Sequence, residues 1–409
     1  MRSKRYFKTL LGQWKISTYS KRLVWVTFVI CYVAAVIIAV FLVITTGQAL
    51  GSDFVSFLTG ASLIRGGEGK HLYEFPIQLA YQQRILQPFN LNLTNHEVKL
   101  LPYLNLPVFA LLYIPFTYMP FLIAYKLYVI LLAGVLFIIG LVASRIFSKL
   151  SIYSAWPFIP LVFYPSIGAV FIGQTSVFLV LLFLLLFLYL RQGKYFQVGI
   201  LSSLLFLKIQ YAIAIPYLFI LSRDKKNFSK GLVISAVIII ILNLWLSGFF
   251  LNEYFSFLVA TQKPEFGLRD RDMFTFFAYL RQTQPFSLLN FYELFLVNIF
   301  FYIITLVFLF KNHEKLSLEN NFIVVTILTL VFSIHGVNYD LALLLVPIFI
   351  IVNRIRSGAN LSNTDRITIF TLVFLPALFL IGKGVFIPFI LIGVTLLLIT
   401  QQAHPRRLS

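Results

Sequence analysis

The chain has 409 residues, of which 60% are hydrophobic and 11% are charged, and its mean hydropathy is +0.91. Soluble domains carry about 25% charged residues, so this composition excludes a soluble globular protein and indicates an all-α integral membrane protein. The net charge of +19 is distributed as short Lys and Arg clusters between apolar stretches. That pattern is typical of membrane orientation and leaves little soluble surface for a nucleic acid, so we expect membrane lipids and no nucleic acid as partners.

Apolar stretches follow one another along the whole chain. The predicted spans are residues 23–45, 121–144, 152–171, 174–190, 196–208, 209–222, 231–250, 286–310, 321–335, 340–352, 366–382 and 385–400. Several are shorter than the roughly 20 residues that a straight crossing needs. We therefore expect a single membrane domain over 1–409, with about twelve transmembrane helices and short interfacial helices on the outer side.

Basic residues flank the segment 196–222 at both ends, which indicates that the segment enters and leaves on one side of the membrane. It is therefore predicted to be a helical hairpin whose apex lies near Lys208. If the N-terminal segment 1–22 is cytoplasmic, about two thirds of the 33 Lys and Arg residues fall in inside loops. The same count places the tail 401–409 in the cytoplasm.

Two segments on the outer side are too long to be simple connectors. The first is 46–120, in which repeated prolines make a straight crossing unfavourable, so an interfacial or half-inserted helix is predicted around 106–115. The second is 251–285, which contains a charged cluster around Arg269. Such a cluster is typical of a solvated, self-paired loop, although it could also gate a cavity.

Several polar residues fall on this outer side and are candidates for function. They are Asp53 after the first span, Gln174 between spans three and four, Lys208 at the hairpin apex, and His335, Tyr339 and Asp340 between spans nine and ten. Ionisable groups at membrane depth are energetically costly and indicate function by default. A carboxylate such as Asp53 at the lipid–water boundary could take a proton from an acceptor hydroxyl.

Each candidate also has a structural interpretation. Asp53 could be the N-cap of a helix starting at Phe54, since Asp is a favoured cap. Lys208 could extend to lipid headgroups, Gln174 could satisfy backbone groups of its turn, and His335 could be a packed turn residue. His335 and Asp340 lie five residues apart with no second pair of ligands at helical spacing, so no metal site is predicted.

Sparse motifs in this chain resemble glycosyltransferase family 87. They are Asp53 after the first span, the segments 66–73 and 107–115, Gly173-Gln174, and Gly199 followed by Lys208. Leu106, Ile209 and Ser176 depart from the commonest family pattern. The resemblance implies a polytopic GT-C fold, with Asp53 as catalytic base and with Lys208 and His335 binding the donor phosphate. The possible substrate contacts that it implies are Gln174, Tyr339, Asp340, Glu68, Tyr73 and Arg269.

The resemblance also implies an inverting enzyme that needs no cofactor. It would move a sugar, mannose or a related one, from a polyprenyl-phosphate donor to a hydroxyl of a lipid or glycan. The reaction would take place at the extracytoplasmic face of the plasma membrane, in cell-envelope glycolipid synthesis. Two alternatives stay open: a transporter or flippase of lipid-linked sugars, which discontinuous spans and buried ions also suit, and an O-antigen-ligase-like enzyme built around the loop 251–285.

Overall fold

A computed structural model describes residues 51–89, 100–150, 158–248, 251–266, 272–357, 363–379 and 382–403. The predicted first span 23–45 and the segment 1–22 lie outside these ranges. The described residues belong to one compact unit, Ala49–Ser409. Within them the regular elements are helices, apart from one isolated antiparallel bridge between Met273 and Val337. The expectation of an all-helical protein is confirmed for this part of the chain.

The α-helices in chain order are α1 Ser52–Arg65, α2 Phe75–Leu86, α3 Pro107–Ala110, α4 Phe121–Ile146, α5 Ile159–Val162, α6 Tyr164–Ile172, α7 Ser176–Arg191, α8 Tyr195–Ser203, α9 Ala214–Leu221, α10 Lys225–Ser247, α11 Leu251–Ala260, α12 Phe276–Gln282, α13 Phe291–Asn312, α14 Leu318–Phe332, α15 Leu345–Arg356, α16 Asn363–Phe374 and α17 Ile387–Ala403. Shorter 3₁₀ segments extend several of them. Those used below are Leu111–Tyr118, Leu204–Tyr211 and Asn338–Leu344.

Helices long and apolar enough to cross a bilayer are Phe121–Ile146, Lys225–Ser247, Phe291–Lys315 and Asn338–Arg356. Shorter apolar helices are Pro107–Tyr118, Ser176–Arg191, Leu318–Phe332 and Gly384–Thr400. Only 17% of the apolar window of α10 is buried inside the protein, which leaves an apolar outer surface suited to lipid. These helices support a membrane protein, while the number of about twelve spans stays a prediction.

Several predicted spans are not continuous α-helices, and two of them show why. The described part of 152–171 is divided into α5 and α6 at Phe163, whose backbone is extended. Pro165 is the second residue of α6; in a continuous helix it would have no N–H to donate to the Leu161 carbonyl, and its ring would clash with that carbonyl. The predicted span 340–352 likewise begins as the 3₁₀ segment Asn338–Leu344 before it continues as α15.

The predicted hairpin at 196–222 is confirmed by the way α8 packs on α10. Ser203 and Ser235 share a hydrogen bond of 2.5 Å, while a Cβ on Gly199 would lie 2.1 Å from the carbonyl oxygen of Phe228. Residue numbers on the two helices rise together, so α8 and α10 run parallel. The chain must therefore return through α9, and the 3₁₀ segment Leu204–Tyr211 begins the turn. Within that segment Lys208 is non-helical, with φ −127° and ψ 82°.

The described part of the segment 46–120 packs around α1. Its Phe54 ring stacks on Tyr128 of α4 at 4.9 Å, and the Ser56 hydroxyl donates to the Pro102 carbonyl at 2.7 Å. The predicted short helix is confirmed as α3 followed by the 3₁₀ segment Leu111–Tyr118, which contains Pro115. Proline starts α3 without losing a hydrogen bond and prevents a regular α-helix further on. These contacts hold the first half of α1 against α4 and the chain around Pro102.

Candidate active site

Asp53 lies in the first turn of α1 and does not cap it. The helix begins at Ser52, its N-cap is Gly51 with φ 73°, and no side chain provides a capping hydrogen bond. The capping interpretation of Asp53 is therefore wrong. The Gly51 N–H donates to the Phe171 carbonyl at 3.0 Å, which joins the start of α1 to the end of α6. The Asp53 carboxylate consequently faces the turn that follows α6.

That turn depends on glycine at position 173. Gly173 has φ 80°, a conformation that other residues rarely adopt. A Cβ there would lie 2.6 Å from the Cβ of Phe54, so only glycine allows α1 to approach so closely. The next residue, Gln174, donates from Nε2 to the Asp53 Oδ2 at 2.7 Å and to the Tyr339 hydroxyl at 3.1 Å. Three segments far apart in sequence meet at this amide group.

Lys208 and Asp340 form a buried ion pair beside these residues, with Nζ and Oδ1 2.8 Å apart. Lys208 Nζ also donates to the Ser176 hydroxyl at 3.1 Å, and that hydroxyl donates to Asp340 Oδ1. The other oxygen of Asp340 accepts from the Val337 N–H at 3.1 Å. Both oxygens of Asp340 are therefore occupied by protein groups, which favours an anchoring role over the predicted substrate contact.

The ammonium group of Lys208 also lies over two tyrosine rings. Its Nζ is 5.3 Å from the centroid of Tyr211 and 5.7 Å from that of Tyr339, within the range of cation–π attraction. The side chain is 8% exposed. Lys208 therefore points into the protein, and the interpretation that it extends to headgroups is wrong.

Burial is the largest effect on the pKa values of Asp53 and His335. Asp53 keeps some exposed surface, but burial raises its pKa to about 6, against the opposing effects of the Gln174 hydrogen bond and the Lys208 charge. Burial lowers the pKa of His335 to about 4; Asp340 opposes this effect, and Lys208 and Arg281 add to it. At neutral pH the imidazole is therefore uncharged, while Asp53 is mostly ionised and close enough to its pKa to exchange a proton.

Two residues of this site were not predicted as site residues from the sequence. Ser176 lies in the polar turn 173–176 but was given no role, yet its hydroxyl joins Lys208 to Asp340. Arg281 lies in α12, and its charge acts on His335. The Phe274 N–H donates to the Gly336 carbonyl at 3.0 Å, which brings α12 to the His335 turn. The sequence signal for Arg281 was the concentration of charged residues in the segment 251–285.

The remaining predicted contacts lie elsewhere or cannot be placed. Glu68 accepts from the Tyr81 hydroxyl at 3.0 Å, and the Tyr73 hydroxyl donates to the Asn105 carbonyl at 3.0 Å. Neither has a described contact with the group around Asp53. Arg269 lies outside the described residues. Within the described ranges, no three His, Cys, Asp or Glu side chains converge where they could hold a metal ion.

Comparison with known proteins identifies the same family that the sequence motifs resemble. The model of glycosyltransferase family 87 matches residues 103–334, more than half of the chain. The match includes Gln174 and Lys208, while Asp53, Tyr339 and Asp340 lie beyond its ends. No curated protein and no solved structure matches the chain. The family model covers more than half of the chain, and the described residues include helices long and apolar enough to span a membrane, so the protein belongs to glycosyltransferase family 87 and is a membrane glycosyltransferase.

Proposed function

We propose that this protein transfers a sugar, mannose or a related hexose, from a polyprenyl-phosphate-linked donor to a hydroxyl of a lipid or glycan. The reaction would occur on a GT-C scaffold at the extracytoplasmic face of the plasma membrane. The observation that carries the proposal is the Asp53 carboxylate, held 2.7 Å from Gln174 and beside the Lys208–Asp340 pair. A proton acceptor next to a buried cation is the arrangement that sugar transfer to a hydroxyl requires.

In the proposed reaction the acceptor hydroxyl oxygen attacks the anomeric carbon of the donor. The bond from that carbon to the phosphate oxygen breaks, and the lipid phosphate leaves with the electron pair. Asp53 takes the hydroxyl proton, which a carboxylate with a pKa of about 6 can do at neutral pH. A single displacement inverts the anomeric centre, and no cofactor takes part.

Positive charge must stabilise the departing phosphate. The Lys208 ammonium has three N–H donors, of which Ser176 and Asp340 engage two, so we propose that the third binds a phosphate oxygen. His335 is neutral and can donate one N–H, while Arg281 supplies a permanent charge on the same side. Such groups act on charge that grows in the transition state, where fixed donors contribute most to the rate.

A transfer assay tests the donor assignment. The purified full chain would be reconstituted in liposomes that contain radiolabelled polyprenyl-phosphate mannose and a total membrane lipid extract as acceptor. We expect label to move into a larger glycolipid without any added nucleotide sugar. The matched control is Asp53→Asn, which keeps the side-chain shape and should lose transfer. Activity that requires a nucleotide sugar in the presence of the lipid donor would refute the proposal.

A further inference from the structure

Gln174 has a fixed amide orientation, although it was predicted only as a substrate contact or a turn residue. Its Oε1 accepts from the Thr175 N–H at 2.9 Å and lies 3.3 Å from the Thr175 hydroxyl. A flipped amide would place the NH₂ group against that N–H and the carbonyl against the Asp53 carboxylate, two repulsive contacts. The NH₂ end must therefore face Asp53.

The backbone of the turn holds this side chain in place. The Gln174 N–H donates to the Ala169 carbonyl at 2.7 Å, and α7 begins two residues later. Gln174 is also buried, with 8% of its surface exposed. Its position thus follows from the packing of α6 and α7, and a donor supported in this way cannot easily swing toward solvent.

The two N–H groups of the Gln174 amide connect Asp53 to Tyr339 and its neighbour Asp340. One binds Asp53 Oδ2 at 2.7 Å and the other binds the Tyr339 hydroxyl at 3.1 Å. Tyr339 precedes Asp340, which is anchored by Lys208 and Ser176. We infer that Gln174 is a positioning residue, whose amide fixes one oxygen of the Asp53 carboxylate and stabilises its charged form.

This inference rests on the proposed role of Asp53 as the base and identifies what prepares that base. Burial disfavours the charged form of the Asp53 carboxylate, and the Gln174 hydrogen bond is the largest of the effects that favour this charged form. The other groups that face Asp53 are Lys208, Tyr339 and Asp340, and the paired hydroxyls of Tyr113 and Tyr128, which lie 2.8 Å apart. Of these groups only Lys208 carries a positive charge.

Infrared difference spectroscopy can measure the protonation of Asp53 without any substrate. Spectra of the full chain in liposomes are recorded from pH 4 to pH 9 as a titration series, and the spectra of Asp53→Asn are subtracted to isolate the Asp53 carboxyl band. The wild-type midpoint is expected near 6. Gln174→Met removes the donor and should raise the midpoint by about one pH unit, because hydrogen bonds to charged groups are the stronger class.

Gln174→Glu is the second variant, since it keeps the shape and the acceptor for Thr175 but places a carboxylate against Asp53. It should raise the midpoint further, and it decides the question if Gln174→Met does not fold. The matched control is Gln82→Met, because Gln82 is a buried glutamine that binds the carbonyl and the N–H of Leu101, at 3.0 and 3.2 Å. That variant should leave the midpoint unchanged.

An unchanged Asp53 midpoint in a folded Gln174 variant would overturn the inference. Such a result is separate from failure of the proposed function, because the titration needs neither donor nor acceptor. Transfer that persists in Asp53→Asn would instead refute the role of the base and leave the Gln174 result standing. Where transfer is measured, the acidic limb of its pH profile should move up with the midpoint. A uniform loss at every pH would indicate a merely structural role for Gln174.

Discussion

Asp53→Asn should make the protein less active and more stable at neutral pH. The pKa of Asp53 is raised from 3.8 to about 6 in the folded protein, so the folded state holds the proton more tightly than the unfolded state. Stability is then lost as the pH rises from 3.8 through about 6, since each unit of pKa difference corresponds to about 1.4 kcal/mol. Over this interval the loss is about 3 kcal/mol. Asn cannot ionise, so the Asp53→Asn variant does not lose this stability as the pH rises.

The expected gain in stability is therefore up to about 3 kcal/mol above pH 7 and close to zero below pH 4. Asn keeps an oxygen that can accept from Gln174, so the packing around α1 should persist. The transfer rate should fall by about 10²–10⁴-fold, the usual contribution of a positioned general base. Higher stability with lower activity is the expected mark of a group whose charge is kept for function.

Thermal unfolding of both proteins in detergent between pH 4 and pH 8 measures this effect. The control is Asp224→Asn, because Asp224 is an exposed carboxylate whose pKa is lowered by the Asn227 N–H that it caps. Ionisation of Asp224 stabilises the fold, so its substitution cannot give a gain that grows with pH. A difference in melting temperature between Asp53→Asn and wild type that is the same at every pH would refute the reasoning.

Two further predictions concern the ion pair and the topology. Lys208→Met leaves the Asp340 charge buried without its partner, which should lower the free energy of unfolding by about 3–5 kcal/mol. The double variant with Asp340→Asn should recover most of this loss. Equal melting temperatures for the single and double variants would contradict this prediction. In a Cys31→Ser background, an impermeant thiol reagent applied to intact cells should label a cysteine placed at Asn252 and spare one at Lys226, and the reverse labelling would contradict an outer-face site.

Local sequence patterns determined the class of the protein and much of its helical order. The apolar runs and the scarcity of charge predicted membrane helices, and the basic residues on both sides of 196–222 predicted the hairpin. The prolines predicted a short helix around 106–115 in place of a straight crossing. Each of these features depends on neighbouring residues, so a short stretch of sequence contains the necessary information.

Tertiary packing decided which polar groups meet. Asp53 and Gln174 are separated by 121 positions, and Lys208 and Asp340 by 132. The sequence indicated each residue but could not show that Asp340 pairs with Lys208 or that Gln174 donates to the Asp53 carboxylate. Hydrogen bonds exist only within a few tenths of an ångström of their optimum. These distances are set by how closely the helices approach one another, as they do where Gly173 lies against Phe54. Such approaches depend on the whole fold.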